Sequence, residues 1–476
     1  MKLSIDGVIH LQDVPNKLLQ KIKADLTIKN PDYIKKKRMG LNPYACGPQK
    51  IELWHEQIVD GKKEYILPRG YWWKFAGMDC IRENNTVCLP RLDFCSSIKL
   101  RNYQEDLLNG MMETPQGIGV APCGSGKTET ALELIARTGQ PTLWITHTRD
   151  LVKQSMDRAI SRLQLIGDQV GVIMAKTFKV GTHITFATVQ TLSKRDLSVI
   201  IDKFGCIVVD ECHHCFKDYT KSRMFESVIS QFPAYYRYGI TASEHRSDGL
   251  IETMYSIMGK KLYGVTQERV NKQGNVLVPK VYFVETGFVY EVPENKNGKM
   301  QKLNVQQLIG EMREDTSRND LLLDCLRHQK PGDFVFALGD SLDHLSMFRD
   351  AVNKLETPAA FIHGKTPKKE REQVMNDVRQ GKYTFLFATY SLAKEGLDIP
   401  LLNTLVLLTP KKDKAITQQS IGRIMRPLEG KKQPVVYDFW DNKVRQCQQW
   451  ARERAKVYIN LGAEVVGGPR VRVRRK

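Results

Sequence analysis

No stretch of this sequence is apolar over the roughly 20 residues a helix needs to cross a bilayer, so a helical membrane protein is not expected. The opening residues Met1-Lys2-Leu3-Ser4-Ile5-Asp6 lack the apolar core of a signal peptide, and the expected location is the cytoplasm, a host's if the source is viral. The 10 cysteines are scattered rather than spaced as a disulfide framework, and they are read as reduced thiols. Their one close group, Cys212-His213-His214-Cys215, is too tight to surround a tetrahedral ion, and no second pair stands at ligand spacing. Acids are in short supply: 53 Asp and Glu face 72 Lys and Arg, a formal charge of +19. Such an excess repels itself in a compact chain, and a polyanionic partner relieves it while steering association. A basic protein with no nucleic-acid role could share this composition, so charge alone does not decide. Apolar residues are not scarce, at 41 %, which excludes a mainly disordered chain, and 476 residues suffice for two or three domains.

Three regions and a tail are expected. Residues 1–98 mix short apolar segments with turns and aromatics, including Leu67-Pro68-Arg69-Gly70-Tyr71-Trp72-Trp73. From 99 to 300, β-like runs (Gly117–Val120, Thr142–Thr146, Ile184–Thr188, Cys206–Val209, Tyr238–Thr241) alternate with helical patterns, which argues for a parallel sheet covered by helices. Glu291–Lys302 reads as a linker. A second α/β series occupies 301–462, with strands expected at Phe334–Leu338, Ala359–Ile362, Thr384–Ala388, Thr404–Leu408 and Val435–Phe439, and a helix at Lys368–Arg379. Residues 463–476 are read as a basic tail, with five basic residues among the last seven.

The chemistry is concentrated in two motifs. Ala121-Pro122-Cys123-Gly124-Ser125-Gly126-Lys127-Thr128 follows an apolar strand and precedes the helical run from Glu129, the context of a phosphate-binding loop. Gly124 and Gly126 let the backbone N–H groups turn toward phosphate oxygens at a helix N-terminus. Lys127 would hold the β- and γ-phosphates, and the Thr128 hydroxyl would coordinate Mg2+. Ile207-Val208-Val209-Asp210-Glu211 is a strand ending in two acids at the sheet edge where ligands bind. Asp210 is the second candidate metal ligand, and Glu211 the candidate base for the attacking water. Either motif alone could be an ordinary turn; together in one α/β domain they specify ATP hydrolysis.

With these residues in place the chain resembles a superfamily 2 helicase of the DExH type, through both α/β regions and in the expected order. Leu100-Arg101-Asn102-Tyr103-Gln104 resembles the entry motif, which implies adenine recognition by Arg101 and Gln104. Gly239-Ile240-Thr241-Ala242-Ser243 resembles the motif that links ATP state to strand binding. Ala388-Thr389 with Glu395-Gly396-Leu397-Asp398-Ile399-Pro400 resembles the motif that touches nucleotide and nucleic acid, and it implies nucleotide contacts from Gly396 and Asp398. Gln418-Gln419-Ser420-Ile421-Gly422-Arg423-Ile424-Met425-Arg426 resembles the last motif. It implies catalytic roles for Gln419, Arg423 and Arg426, the guanidinium groups bracing phosphoryl oxygens when the lobes close. The resemblance implies strand contacts at Thr148, Arg149, Thr188, Gln190, Thr191, His363, Gly364 and Thr389, although His147 stands where many relatives have proline.

Within that superfamily the pattern is most similar to XPB-like enzymes and to the phage UvsW/T5-type branch-migration helicases, whose small N-terminal domain Thr27–Tyr33 and Leu67–Gly70 resemble. The expected fold is α/β: two tandem RecA-like parallel-sheet domains with a small α+β N-terminal domain that recognises DNA. The expected activity is ATP- and Mg2+-dependent, 3′-to-5′ movement on forked, branched or single-stranded DNA. The alternatives are an RNA helicase or ribonucleoprotein remodeller, and a scaffold with a silent ATP site. Lys35-Lys36-Lys37-Arg38 could follow a nucleic-acid backbone or form a solvated face. Trp72, Trp73 and Phe75 are better read as the core of a small domain than as base-stacking groups.

Overall fold

The computed structural model describes the chain apart from residues 41, 43–46, 123, 215–218, 243–250, 274–275, 293–302, 356, 395–398 and 472–476, and apart from the side chains at 214, 219, 368, 393, 394 and 415. The described residues form two compact units, Met1–Thr266 and Gln267–Lys476. No helix among them is long and apolar enough to cross a membrane.

The first unit begins with strands β1 (Lys2–Ile5), β2 (Val8–Gln12), β3 (Thr27–Lys29), β4 (Lys50–Glu52), β5 (His55–Val59), β6 (Lys62–Pro68) and β7 (Ile81–Asn84). Five of them make a sheet in the order β5-β6-β2-β1-β7, and β3 pairs with β4. Alternate residues Leu3, Ile9, Leu11, Tyr65 and Leu67 pack on Ile22 of the helix Asn16–Asp25 and on Tyr71 and Phe75, as period-two patterning requires. The aromatic run divides: Phe75 is core and Trp72 packs on it, whereas Trp73 is exposed with Lys74 Nζ 4.5 Å from its ring centroid. Asn30 caps the helix Pro31–Arg38, its Oδ1 accepting from Asp32 N at 3.0 Å with proline in the first position. That helix buries no residue, so Lys35, Lys36, Lys37 and Arg38 face solvent.

The N-terminal sheet docks on the rest of its unit by an exchange of arginines. Arg69 donates to the carbonyls of Ala234 and Tyr235, and Arg237 donates in return to the carbonyl of Gly7 at 3.0 Å. Gly7 and Gly70 make the approach possible. A Cβ on Gly7 would lie 1.9 Å from the Ser230 carbonyl oxygen, and one on Gly70 2.5 Å from that of Ser256.

The larger sheet contains β8 (Gln116–Val120), β9 (Thr142–Thr146), β10 (Val170–Met174), β11 (Thr177–Lys179), β12 (Ile184–Thr188), β13 (Cys206–Asp210), β14 (Tyr236–Thr241) and β15 (Lys261–Gly264), in the order β11-β10-β12-β9-β13-β14-β8-β15. Every pair except β10–β11 is parallel. β8, β9, β12 and β13 are buried at every position, as expected of strands covered on both faces. Because the strands run in parallel, their carboxyl ends align: Asp210 pairs with Ile240, and Thr241 with Val120.

The second unit holds β16 (Lys280–Glu285), β17 (Val335–Gly339), β18 (Ala359–Ile362), β19 (Phe385–Thr389), β20 (Thr404–Leu407), β21 (Val435–Trp440) and β22 (Glu464–Val466), all paired in parallel in the order β18-β19-β17-β20-β21-β16-β22. Two expected boundaries are corrected. A divide at 300 would leave β16 with the first lobe, yet Lys280 pairs with Val435 and with Glu464 of the second sheet. Val281 and Phe283 are buried there, and the turn-forming residues Gly274-Asn275 and Pro279 stand before them in the sequence, so the break between the lobes falls earlier than 300. The tail cannot begin at 463, because β22 is the sheet's last strand. Of the expected linker, residues 293–302 lie outside the described residues.

Candidate functional site

The phosphate-loop motif stands where β8 ends and the helix Lys127–Thr138 begins. Gly124 and Gly126 have φ of +80° and +79°, the left-handed conformation that glycine adopts without a Cβ penalty. At Gly126 a side chain would also strike Gln104, whose Nε2 would lie 2.3 Å from the added Cβ. Ser125 Oγ donates to the Pro122 carbonyl at 2.7 Å and closes the loop on itself. Lys127 is buried, its Nζ 3.3 Å from the Pro122 carbonyl and 3.7 Å from Glu211 Oε1. Thr128 lies in the first helical turn, and Cys123 falls outside the described residues.

Gln104 and Arg101, expected at adenine, are engaged with the loop and with each other. Gln104 Nε2 donates to the Ser125 carbonyl at 2.9 Å, and its Oε1 accepts from Arg101 N at 2.9 Å. Tyr103, which the motif reading did not single out, donates from its hydroxyl to the same Ser125 carbonyl at 3.0 Å and accepts from Arg101 Nη1. Its signal was its place inside the entry motif.

Asp210 ends β13 and Glu211 begins the turn beyond it. Burial and the adjacent Glu211 charge push the Asp210 carboxyl up to about 7. Burial alone would raise Glu211 too, but Lys127, His213 and His147 outweigh it and hold that carboxyl below the ordinary glutamate value. Glu211 has φ +48°, a strained state for a non-glycine residue of the kind found at functional turns. Its Oε2 is buried without a hydrogen bond. His213 Nδ1 lies 3.4 Å from that oxygen but sits closer, at 2.7 Å, to Thr241 Oγ1 on β14. A lysine, two acids and loop amides therefore converge at one sheet edge, and the orphaned carboxylate oxygen is where a water could be held. These residues fit ATP with Mg2+: Thr128 and Asp210 supply oxygen ligands of the hard type this ion takes.

The expected strand-contact residues of the first unit also come together. Thr148 caps the helix Arg149–Leu163, accepting from Leu151 N at 3.3 Å, and Arg149 is exposed beside it. Gln190 Nε2 donates to the His147 carbonyl at 3.1 Å, joining the ends of β9 and β12. Thr188 Oγ1 and Thr191 Oγ1 are 2.8 Å apart, and Thr191 also accepts from Ala175 N. The hydroxyls of Thr148, Thr188 and Thr191 thus shape these loops, and Gln190 and Arg149 are the exposed members of the group.

In the second unit His363 and Gly364 follow β18, and Thr389 ends the neighbouring β19. His363 N donates to Thr366 Oγ1 at 3.0 Å, and Arg371 Nη2 reaches the Gly364 carbonyl at 3.3 Å. Thr389 Oγ1 lies 2.8 Å from Ser391 Oγ. Gln419 and Arg423 are one turn apart on the helix Lys414–Ile424, and Arg426 follows it. Gly396 and Asp398, like Ser243, lie outside the described residues. Cys212, from the tight Cys-His-His-Cys group, is buried with its Sγ 3.7 Å from Met254 Sδ; Cys215 is outside the described residues.

Known proteins resemble this chain in sequence and fold. The family model described as type III restriction enzyme, res subunit, matches residues 97–246, and the helicase conserved C-terminal domain matches residues 317–427. A protein of Acanthamoeba polyphaga mimivirus, provisionally named ATP-dependent RNA helicase L396, is 27 % identical over 91 % of this chain and 80 % of its own length. Haloarcula marismortui Rad25, provisionally named a DNA 3′-5′ helicase, is 26 % identical over 69 % of this chain, which spans only 51 % of that relative. The Escherichia phage T5 protein D10, provisionally named a helicase, is 24 % identical over 72 % of this chain and 71 % of its own length. Among solved structures, S. cerevisiae Dbp5 bound to RNA and ADP–BeF3 aligns with a TM-score of 0.56 at 16 % identity, over 76 % of this chain and 88 % of that one, a likeness of fold.

Proposed function

We propose that this chain, which belongs to the superfamily 2 helicases, is a DNA motor that couples ATP hydrolysis to 3′-to-5′ movement on forked or branched DNA. The observation that carries the reading is the buried Oε2 of Glu211, which has His213 Nδ1 at 3.4 Å but makes no hydrogen bond, held on a strained turn with Lys127 Nζ 3.7 Å from the companion oxygen. A carboxylate kept ionised, with one oxygen left without a hydrogen bond, can orient a water and take its proton. Lys127 and the amides of residues 124–127 would hold the β- and γ-phosphates. Mg2+ held by Thr128 and Asp210 would neutralise charge on the phosphate oxygens. Arg426 and Arg423 would brace the γ-phosphoryl oxygens during transfer, with Gln419 orienting them.

The His213–Thr241 contact ties the acid turn to β14, a route by which the state of the nucleotide reaches the motif after that strand. Arg149, Gln190, His363 and Thr389 would hold the strand through its phosphates, which suits movement without sequence preference. The N-terminal domain would recognise DNA: Lys29, Lys37, Arg38 and Lys50 line, together with Tyr33, a cleft of about 390 Å3. The name of the archaeal relative favours DNA. An RNA substrate is the second reading, favoured by the name of the mimiviral relative.

The test is ATP turnover across single-stranded, duplex, forked and four-way DNA with matched RNA. Forked and four-way DNA should stimulate most; stronger stimulation by RNA replaces the DNA reading with the second one. In the same assay Glu211→Gln should bind ATP normally and lose about 100-fold or more in turnover, the usual size of a general-base contribution. Wild-type turnover in that variant removes Glu211 from its role.

A further inference from the structure

Lys431 joins two segments of the second unit that are distant in sequence. Its Nζ donates to the carbonyl of Pro400 and to the carbonyl of Arg426, each at 2.8 Å. Pro400 closes the run that begins at Glu395, and Arg426 closes the run that begins at Gln418. The side chain reaches both because the chain reverses just past the helix Lys414–Ile424. Lys431 N donates to the Leu428 carbonyl at 3.1 Å, and Gly430 takes φ +73° in that turn.

The tie has an electrostatic cost. Burial and then the Arg426 charge push the Lys431 ammonium down to about 7. Both side chains are half-buried, and like charges near one another repel, a cost that the two carbonyl bonds offset in part.

We propose that Lys431 is a positioning residue for Arg426: by holding that residue's carbonyl against the Pro400 segment, it sets the direction in which the guanidinium meets a phosphoryl group. This rests on the reading of Arg426 as a group that braces the γ-phosphoryl oxygens. A neutral side chain of similar length would leave both carbonyls unbonded and the turn from Leu428 to Lys431 unanchored. An arginine keeps the charge and can reach the same two oxygens.

The experiment is steady-state ATP hydrolysis by the full chain with saturating forked DNA, for wild type, Lys431→Met, Lys431→Arg and Arg426→Ala, alongside thermal unfolding. Lys431→Met should lower kcat about tenfold with less than a twofold change in the KM for ATP, the signature of an interaction used in the transition state. Lys431→Arg should recover kcat to within about threefold of wild type, and thermal unfolding should show Lys431→Met still fully folded at the assay temperature, its midpoint lowered only modestly by the two lost hydrogen bonds. Wild-type turnover in Arg426→Ala would remove the underlying reading of that arginine. A slow Arg426→Ala together with a wild-type Lys431→Met would overturn the positioning role alone. So would Lys431→Arg as slow as Lys431→Met, or a KM that rises in step with the loss of kcat.

Discussion

The two units bury arginine by opposite means. In the first, Arg69 and Arg237 are 4 % and 1 % exposed, and among the described residues they donate to main-chain carbonyls: Asp6, Ala234 and Tyr235 for one, Gly7, Ile229 and Phe232 for the other. In the second, Arg318 bonds Asp441 at 2.8 Å, and Arg454 forms a two-pronged pair with Asp438 at 2.6 and 2.7 Å, all four side chains at most 1 % exposed. The charge states respond accordingly. Burial pushes Arg69 down to about 10, and burial with the neighbouring Arg69 charge pushes Arg237 well below its ordinary value. Burial would lower Arg454 too, but Asp438 overrides it and raises that group. A carboxylate partner secures a cation within one domain. A carbonyl cage secures it only while the segments supplying the carbonyls stay together, here Gly7 of the N-terminal sheet and the negative end of the helix Tyr219–Ile229. Arg237 is therefore a gauge of docking, and Arg454 a gauge of its own core.

The largest effect should follow from breaking the charge pair. Arg454→Met leaves Asp438 buried and unneutralised, with only the Tyr458 hydroxyl still bonded to it, and should cost about 3–5 kcal/mol of second-unit stability. Denaturant unfolding of that variant and of Arg454→Met with Asp438→Leu separates the causes. The double variant should recover most of the loss, because it removes the orphaned acid as well. An equal loss in both would mean that packing, not charge, sets the cost.

Little of this contrast could be read beforehand, whereas much of the scaffold could. The strands at Thr142–Thr146, Ile184–Thr188 and Ala359–Ile362 and the helix at Lys368–Arg379 appear at the expected residues, because each is a bounded apolar run or a clear 3.6-residue period. Strand β16 escaped, since a strand that joins a sheet about 150 residues away carries no local mark of its partner. The convergence of Lys127, Asp210 and Glu211 at one sheet edge was legible because the phosphate chemistry proposed for them admits few residue types within each motif. The bond from the Tyr103 hydroxyl to the loop and the His213–Thr241 contact were not, as the first depends on how a helix packs on that loop and the second on strand order. The exchange between Arg69 and Arg237 depends on two domains meeting, which no window along the chain contains.

A smaller loss is expected when the carbonyl cage is emptied. Arg237→Met leaves the Gly7, Ile229 and Phe232 carbonyls without their cation but strands no carboxylate, so it should cost about 1–3 kcal/mol. The loss should be local. Amide exchange should rise first in β1 and β2 and along the helix Tyr219–Ile229, ahead of β8, β13 and β14. Loss of protection spread evenly through the first unit would show that Arg237 supports the larger sheet rather than the docking contact. Arg69→Met should give the same pattern from the other side.

The smallest effect sharpens the comparison through pH. His10, in the N-terminal sheet, is raised above 6.5 by its hydrogen bond to Asp6, against the opposing pull of burial, and by Glu64. The folded state thus holds that proton more tightly than the unfolded chain. Its contribution to stability is complete below 6.5 and is lost as pH rises through the folded value. His344 is pushed down to about 4 by burial and by the charges of Arg318 and Arg313. Here the unfolded chain binds the proton more tightly, so stability is complete above 6.5 and falls as pH drops from there toward 4. Acidification from pH 8 to pH 5 should strengthen the His10 region while weakening the core around Arg318. Unfolding measured at both pH values for wild type, His10→Gln and His344→Gln should show the two substitutions changing the pH dependence in opposite directions. Changes of the same sign would mean that the carboxylates beside His10 do not hold its proton, and the electrostatic contrast between the units would then rest on the arginines alone.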